Sequence, residues 1–376
     1  MLKLSLLSLA VAFCGAVGLD DQSRLRQITD NIRQNEALYD DLEVVWEFRY
    51  RKLNPKRPDP RMIISSEAGG RSVSQGRFFY VDIEGENLDF DGQQRSIARR
   101  RGFDGATTRL VERKALANVI KGREEDSQAF HPHRIPFRRE FMMVPLSTYV
   151  RGAEAIKAHP SGHVDAGVIM RVSYKGEDEV AGLMCQKIGI ERLLETEGGP
   201  VKSGENVVWL AQERNFLPVK TDGYYFRASV DLPISECVLS DLREIDPGVW
   251  FPFHAVLTVY DEVSLREDNA VMLAWQDEYE IEKVSLHPNY DISLFRDIEI
   301  PRGIPVYGVE HGDEGQKVVR GTVVAEPQNA LPAAALPAGT SGRGALFWTA
   351  MSLAAILTVG VTALLLILSR SRKPTA

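Results

Sequence analysis

The chain is poor in the groups that most protein chemistry needs. It has 3 cysteines in 376 residues and no Cys-x-x-Cys pair, which excludes zinc-ribbon and dithiol redox motifs. G-x-S-x-G, H-E-x-x-H and Walker A sequences are absent, as is a G-x-G-x-x-G between strand and helix. An excess of positive charge is also lacking. The formal net charge is -7 and the sequence pI about 5.7, which argues against nucleic acid as a partner. The basic clusters Arg99-Arg100-Arg101 and Arg138-Arg139 read as solvated charge. His131-Pro132-His133 comes nearest to a metal site. No carboxylate or cysteine stands at ligand spacing from it, so no metal or other cofactor is expected. Glu177-Asp178-Glu179 reads as a charged turn between strands, and no catalytic residue is assigned. The chain is expected not to be an enzyme.

Long apolar runs are scarce, and the two that exist lie at the ends. Gly344 to Ser369 carries no charge. About 20 apolar residues span a bilayer core, so this stretch is expected to be a transmembrane helix. Phe347 and Trp348 suit its interfacial start. Arg370, Arg372 and Lys373 follow, which puts residues 370–376 in the cytoplasm and the bulk of the chain outside it. At the other end, Lys3 precedes the apolar run Leu4–Phe13, and Ala16-Val17-Gly18 fits a signal-peptidase site. Residues 1–18 are therefore expected to be a signal peptide. Phe13 before Cys14 does not fit a lipoprotein signal. Residues 325–343, rich in Pro and Ala, read as a linker.

The remainder, 19–324, has the periods of a β-rich domain. Asp20 to Tyr39 predicts an amphipathic helix, with Leu25, Ile28, Ile32 and Tyr39 on one face. The period then switches to two. Leu42, Val44, Trp46, Phe48 and Tyr50 alternate with Glu43, Val45, Glu47, Arg49 and Arg51, which predicts a half-buried strand. Strands joined by Asp-Gly turns are expected from Arg71 to Val119. A second helix is expected over Pro145–His159. Further strands follow, at Val168–Tyr174, Gly182–Leu194, Asn206–Glu213, Leu217–Thr221, Ile234–Ile245, Val249–Asp261 and Val271–Val284. The fold class expected is α+β, mostly β: a large curved antiparallel sheet, or half-barrel, with helices on its concave face.

Two consequences concern side chains. Cys185 and Cys237 remain after signal removal in an oxidising compartment, so they are expected to pair. Aromatics crowd the strands, and a wide sheet covered by few helices can leave an apolar trough. Trp46, Phe48, Tyr50, Phe79, Trp209 and Phe251 are the expected ligand-binding residues.

On these features the chain resembles the outer-membrane lipoprotein carrier superfamily, the LolA-like fold. The features are the exported start, the helix leading into Leu42–Arg51, the hairpin strands of 71–119, and NVVWLAQERNFLPVK at Asn206–Lys220. The resemblance implies a periplasmic protein of the bacterial cell envelope. It also implies that lipid or a lipoprotein acyl chain is the ligand, taken up without catalysis. The tether departs from soluble carriers and suits a sensor equally well. The alternative is thus a structural or regulatory module that binds another envelope protein. An envelope hydrolase ranks third.

Overall fold

The computed structural model describes residues 20–53, 63–112, 116–121, 130–137, 144–159, 164–165, 167–301, 303–312 and 315–322. The expectations for 1–18, 325–343, 344–369 and 370–376 lie outside the described residues. Among the described residues, no helix is long and apolar enough to cross a membrane.

Helix α1 (20–36) ends in a 3-10 turn at Ala37–Tyr39. Its expected inner face is buried at Ile28, Ile32 and Tyr39. The chain then enters β1 (Leu42–Lys52) and folds as an antiparallel meander. The strands that follow are β2 (Ile63–Gln75), β3 (Phe78–Asp89), β4 (Gln94–Phe103), β5 (Thr107–Glu112) and β6 (Leu116–Lys121). The Asp-Gly turns fall between strands as expected, with Gly92 and Gly105 at φ 77 and 88.

The second helix is broken. It forms α2 (Leu146–Val150) and α3 (Ala153–Ala158), because Gly152 between them takes φ 86, which a right-handed helix cannot hold.

A second meander runs from the far edge back to the middle. It comprises β7 (Val168–Val180), β8 (Leu183–Leu194), β9 (Val201–Ala211), β10 (Leu217–Tyr225), β11 (Ser235–Asp246), β12 (Val249–Tyr260) and β13 (Leu273–Leu286). The short α4 (Glu262–Asp268) joins β12 to β13, and Asp261 caps it by accepting from Ser264 N at 2.9 Å. After α5 (Ser293–Arg296), β14 (Pro305–Gly312) and β15 (Gly315–Thr322) extend the sheet beyond β6.

The fifteen strands among the described residues form one sheet, curved and unclosed, in the order β15-β14-β6-β5-β4-β3-β2-β1-β13-β12-β11-β10-β9-β8-β7. It is mostly antiparallel, and β14 lies parallel to β6. β1 is the seam. It pairs with β2 on one side and closes the second meander through β13 on the other.

Helices cover both faces, not one. α1, α2 and α3 pack on β8 and β9 through Ile32, Leu146, Val150 and Ile156 against Ile188, Ile190, Val208 and Leu210. α5 and the chain around it pack on the opposite face, where Phe295, Ile298 and Ile304 meet Val73, Tyr80 and Val111. Burying each such side chain stabilises the fold by roughly 1.5–3 kcal/mol.

Candidate functional site

The site grows out of the β1 alternation. Direct cross-strand partners share a face. On the α1 face β1 therefore places Val44, Trp46, Phe48 and Tyr50 beside Ser72, Gly70, Ala68 and Ser66 of β2, and Trp46, Phe48 and Tyr50 beside Ile281, Tyr279 and Asp277 of β13. Burial falls along this row. Leu42, Val44 and Trp46 are buried, whereas Phe48 and Tyr50 are only half-buried.

The deep end is filled. A side chain on Gly70 would put its Cβ 2.2 Å from Trp46 Cζ2, so the glycine makes room for the indole. Phe130 packs on Trp46 from the other side at 5.1 Å between centroids. Further in, Tyr39 meets Phe251 at 6.2 Å and donates its hydroxyl to the Trp250 carbonyl. His131 and His133 lie against Tyr39, with centroids 5.7 and 5.6 Å away. Each imidazole donates from Nε2 to a backbone carbonyl: His131 to Glu36 at 3.3 Å, His133 to Asn215 at 2.9 Å. Among the described residues, that leaves each Nδ1 a buried acceptor without a hydrogen bond. Burial holds His131 well below the usual imidazole range and lowers His133 to about 4. Both are neutral at physiological pH. Glu36 is buried beside them and accepts from Leu146 N at 2.6 Å and from the Ser147 hydroxyl, which caps the start of α2 from another helix. Burial pushes its carboxyl up, against the opposing hydrogen bond from Ser147.

The shallow end is open in character. Phe48 packs on Tyr279 at 4.9 Å and Tyr50 on Trp275 at 6.2 Å, both with tilted rings, and all four rings are half-buried. Phe253 is half-buried against the same core. This row is an apolar surface bounded by a buried plug at one end and the strand termini at the other. Asp277 is buried on the same face.

The six expected ligand residues divide. Phe48 and Tyr50 lie in the half-buried row. Trp46, Phe79 and Phe251 are core, at 4%, 3% and 0% exposure. Trp209 is not on this face. Val208 and Leu210 point towards α1, so Trp209 points to the opposite side of β9. There its ring lies under Lys187 and Lys220, at 4.7 and 5.0 Å, and its Nε1 donates to Asp178 at 3.1 Å.

The expected disulfide is not made. Cys185 lies in the Trp209 cluster and Cys237 in the Trp46 cluster, on opposite faces. Their strands stand three steps apart in the sheet. At about 4.8 Å per step that exceeds the roughly 7 Å Cα separation a bridge can span. Burial raises the Cys185 thiol to about 11, which makes it inert.

Two charged residues also depart from the solvated reading. Arg101 is buried with its guanidinium 5.7 Å from the Phe79 ring. Glu43, on the far face of β1, is buried. It accepts from Arg71 at 2.8 Å and Tyr290 at 3.0 Å, and these bonds outweigh burial and lower its carboxyl.

Trp275 is one of the aromatics that crowd the strands in sequence, whereas no local pattern marks Tyr279 and Phe130 as partners of the row. A separate cleft of about 210 Å³ lies between Tyr149, Met170, Ile190, Asn206 and Tyr224. Glu191, Arg192 and Glu205 also line it, although its exposed lining is more apolar than polar. It is lined from α2 and β7 to β11, apart from the row on β1 and β13.

No family model matches the chain, and no curated protein is similar to it. Among solved structures it is similar to a DUF1329 family protein from Desulfovibrio piger, with TM-score 0.39 and 11% identity over 72% of this chain and 96% of that one. It is also similar to a putative outer membrane lipoprotein-sorting protein domain from Vibrio parahaemolyticus, with TM-score 0.36 and 8% identity over 72% of this chain and 95% of that one.

Proposed function

We propose that this chain is an extracytoplasmic protein, anchored by Gly344–Ser369, that holds an acyl chain of a lipid or lipoprotein against the row Phe48, Tyr50, Trp275 and Tyr279. No covalent step is involved. The observation that carries the reading is the fall in burial along β1, from Trp46 to Phe48 and Tyr50. A strand serving only as core would stay buried to its end. Here aromatic rings are left half-covered beside one another, which is how an apolar ligand gains contact area. The site offers few polar groups, so it would select for apolar length rather than for a headgroup.

A second reading has one observation in its favour. Tyr39, Phe130 and Ile135 fill the deep end of the same face, as in a regulatory or structural module with no ligand of its own. Lipid analysis of the full chain, extracted from its membrane in a mild detergent, separates the two. Stoichiometric acyl lipid retained through purification, and lost in Phe48→Glu, supports the binding reading. Lipid no different between the two proteins supports the filled module.

A further inference from the structure

The strand ladders show which strand termini share one end of the sheet. Lys52 of β1 pairs with Trp275 of β13, Ile63 of β2 with Asp89 of β3, and Leu88 with Gln94 of β4. Among the described residues, this end gathers several exposed large apolar side chains. Leu53, Ile63, Phe90, Val271, Met272 and Leu273 are all exposed, Val271 at 53% and Leu53 at 47%. They occupy neighbouring connections: the end of β1, the start of β2, the β3–β4 turn and the approach to β13. Leu53 N donates to Ala274 O at 2.9 Å, which ties two of these connections together. Among the described residues, the opposite end exposes large apolar side chains at Leu38, Met184 and Ile292. Exposed apolar residues gathered in this way mark a surface that is covered in use.

Two observations say what covers it. First, the chain leaves the sheet at this end. β14 runs parallel to β6, and Thr322, the last residue of β15, pairs with Pro305 at its start. The β6 residue Leu116 pairs with Glu112, so the start of β6 lies on the Ile63 side. The sequence after Thr322, which includes Gly344–Ser369, therefore continues from a strand end on that side of the sheet. Second, the half-buried rings of Tyr50 and Trp275 stand just behind it, the residue types that settle at a bilayer interface.

We infer that this end of the sheet docks on the bilayer that the anchor enters, with Val271, Met272, Leu53 and Phe90 seated among the headgroups and upper acyl carbons. The inference rests on the anchored reading above. It orients the aromatic row so that its open end faces the membrane, and an acyl chain can pass between bilayer and protein without crossing water.

The test uses the full chain reconstituted in phosphatidylcholine vesicles. One nitroxide is carried at Val271→Cys, and a second protein carries it at Glu213→Cys in the β9–β10 turn of the opposite end. The Val271 label is expected to collide with oxygen and to lose collision with a water-soluble nickel reagent, while the Glu213 label keeps it. Equal exposure of both labels to nickel overturns the docking. So does dipolar broadening of the Val271 label, which would mean that a second copy covers the patch. Alkaline carbonate extraction of the same vesicles reads the anchor separately. Release of a chain whose Val271 label was shielded refutes the anchor and leaves the docking supported.

Discussion

Lowering the pH should loosen the plug at the deep end of the aromatic row. His133 is buried against Tyr39, with its Nε2 bonded to the Asn215 carbonyl. Burial lowers it to about 4, against about 6.5 for an unfolded chain. The folded state thus binds fewer protons than the unfolded state between these values. Its contribution to stability is complete above about pH 6.5, falls as the pH drops, and is gone below about pH 4. The difference of about 2.5 pKa values corresponds to about 3 kcal/mol in full, and to about 2 kcal/mol at pH 5. His131 shifts in the same direction and adds to the loss. Glu36 acts in the opposite sense, because its raised carboxyl favours the folded state at low pH and that contribution is lost as pH rises. The His133→Gln variant separates the terms, since its amide can still donate to Asn215. The assay is thermal unfolding of the full chain in detergent at pH 7.5 and pH 5.0, followed by tryptophan fluorescence. Two kcal/mol should lower the wild-type midpoint by roughly 4 °C, and His133→Gln should lose about that part of the pH response. An unchanged slope in His133→Gln would refute the claim that this imidazole is held neutral by burial.

Three further outcomes follow from the packing. Gly70→Ala should destabilise the chain by about 1–3 kcal/mol, since the new Cβ meets the Trp46 indole at 2.2 Å; denaturant unfolding reads it, and a neutral result would place the indole elsewhere. Glu36→Ala should cost about 1–3 kcal/mol, because it strips the partners from Leu146 N and Ser147 N, and hydrogen exchange should rise first at the start of α2. Trp209→Phe should leave the affinity for a fluorescent fatty acid unchanged, because Trp209 faces the other side of the sheet; weakened binding would contradict that placement.

Much of this architecture is written in local pattern. The alternation of Leu42 to Arg51 predicts β1 and the shared face of Trp46 and Phe48, and most strands of the second meander lie near the expected residues, although β7 runs on to Val180 and β9 begins at Val201. The rest depends on partners distant in sequence. Nothing near Gly70 signals that it must clear an indole contributed by β1. The face of Trp209 depends on the pairing of β8, β9 and β10, and there the register shifts between Pro218 and Lys220. The same non-local pairing sets Cys185 and Cys237 on opposite faces, which an argument from compartment alone could not see. β14 and β15 were not expected, and β14 reaches β6 by a parallel pairing between segments far apart in the chain. Glu43 looks solvated in an alternating strand and is buried because Tyr290 and Arg71 close over it.

The most direct measurement of the account replaces Phe48 by Glu and reads two quantities on one sample: binding of a fluorescent acyl probe and the thermal midpoint. Phe48 is half-buried at the open part of the row, so a carboxylate there can reach water and spare the fold, while its charge opposes an apolar ligand. The account predicts lost probe binding with a nearly unchanged midpoint. Probe binding equal to wild type, or a midpoint that collapses as for a core position, would contradict it.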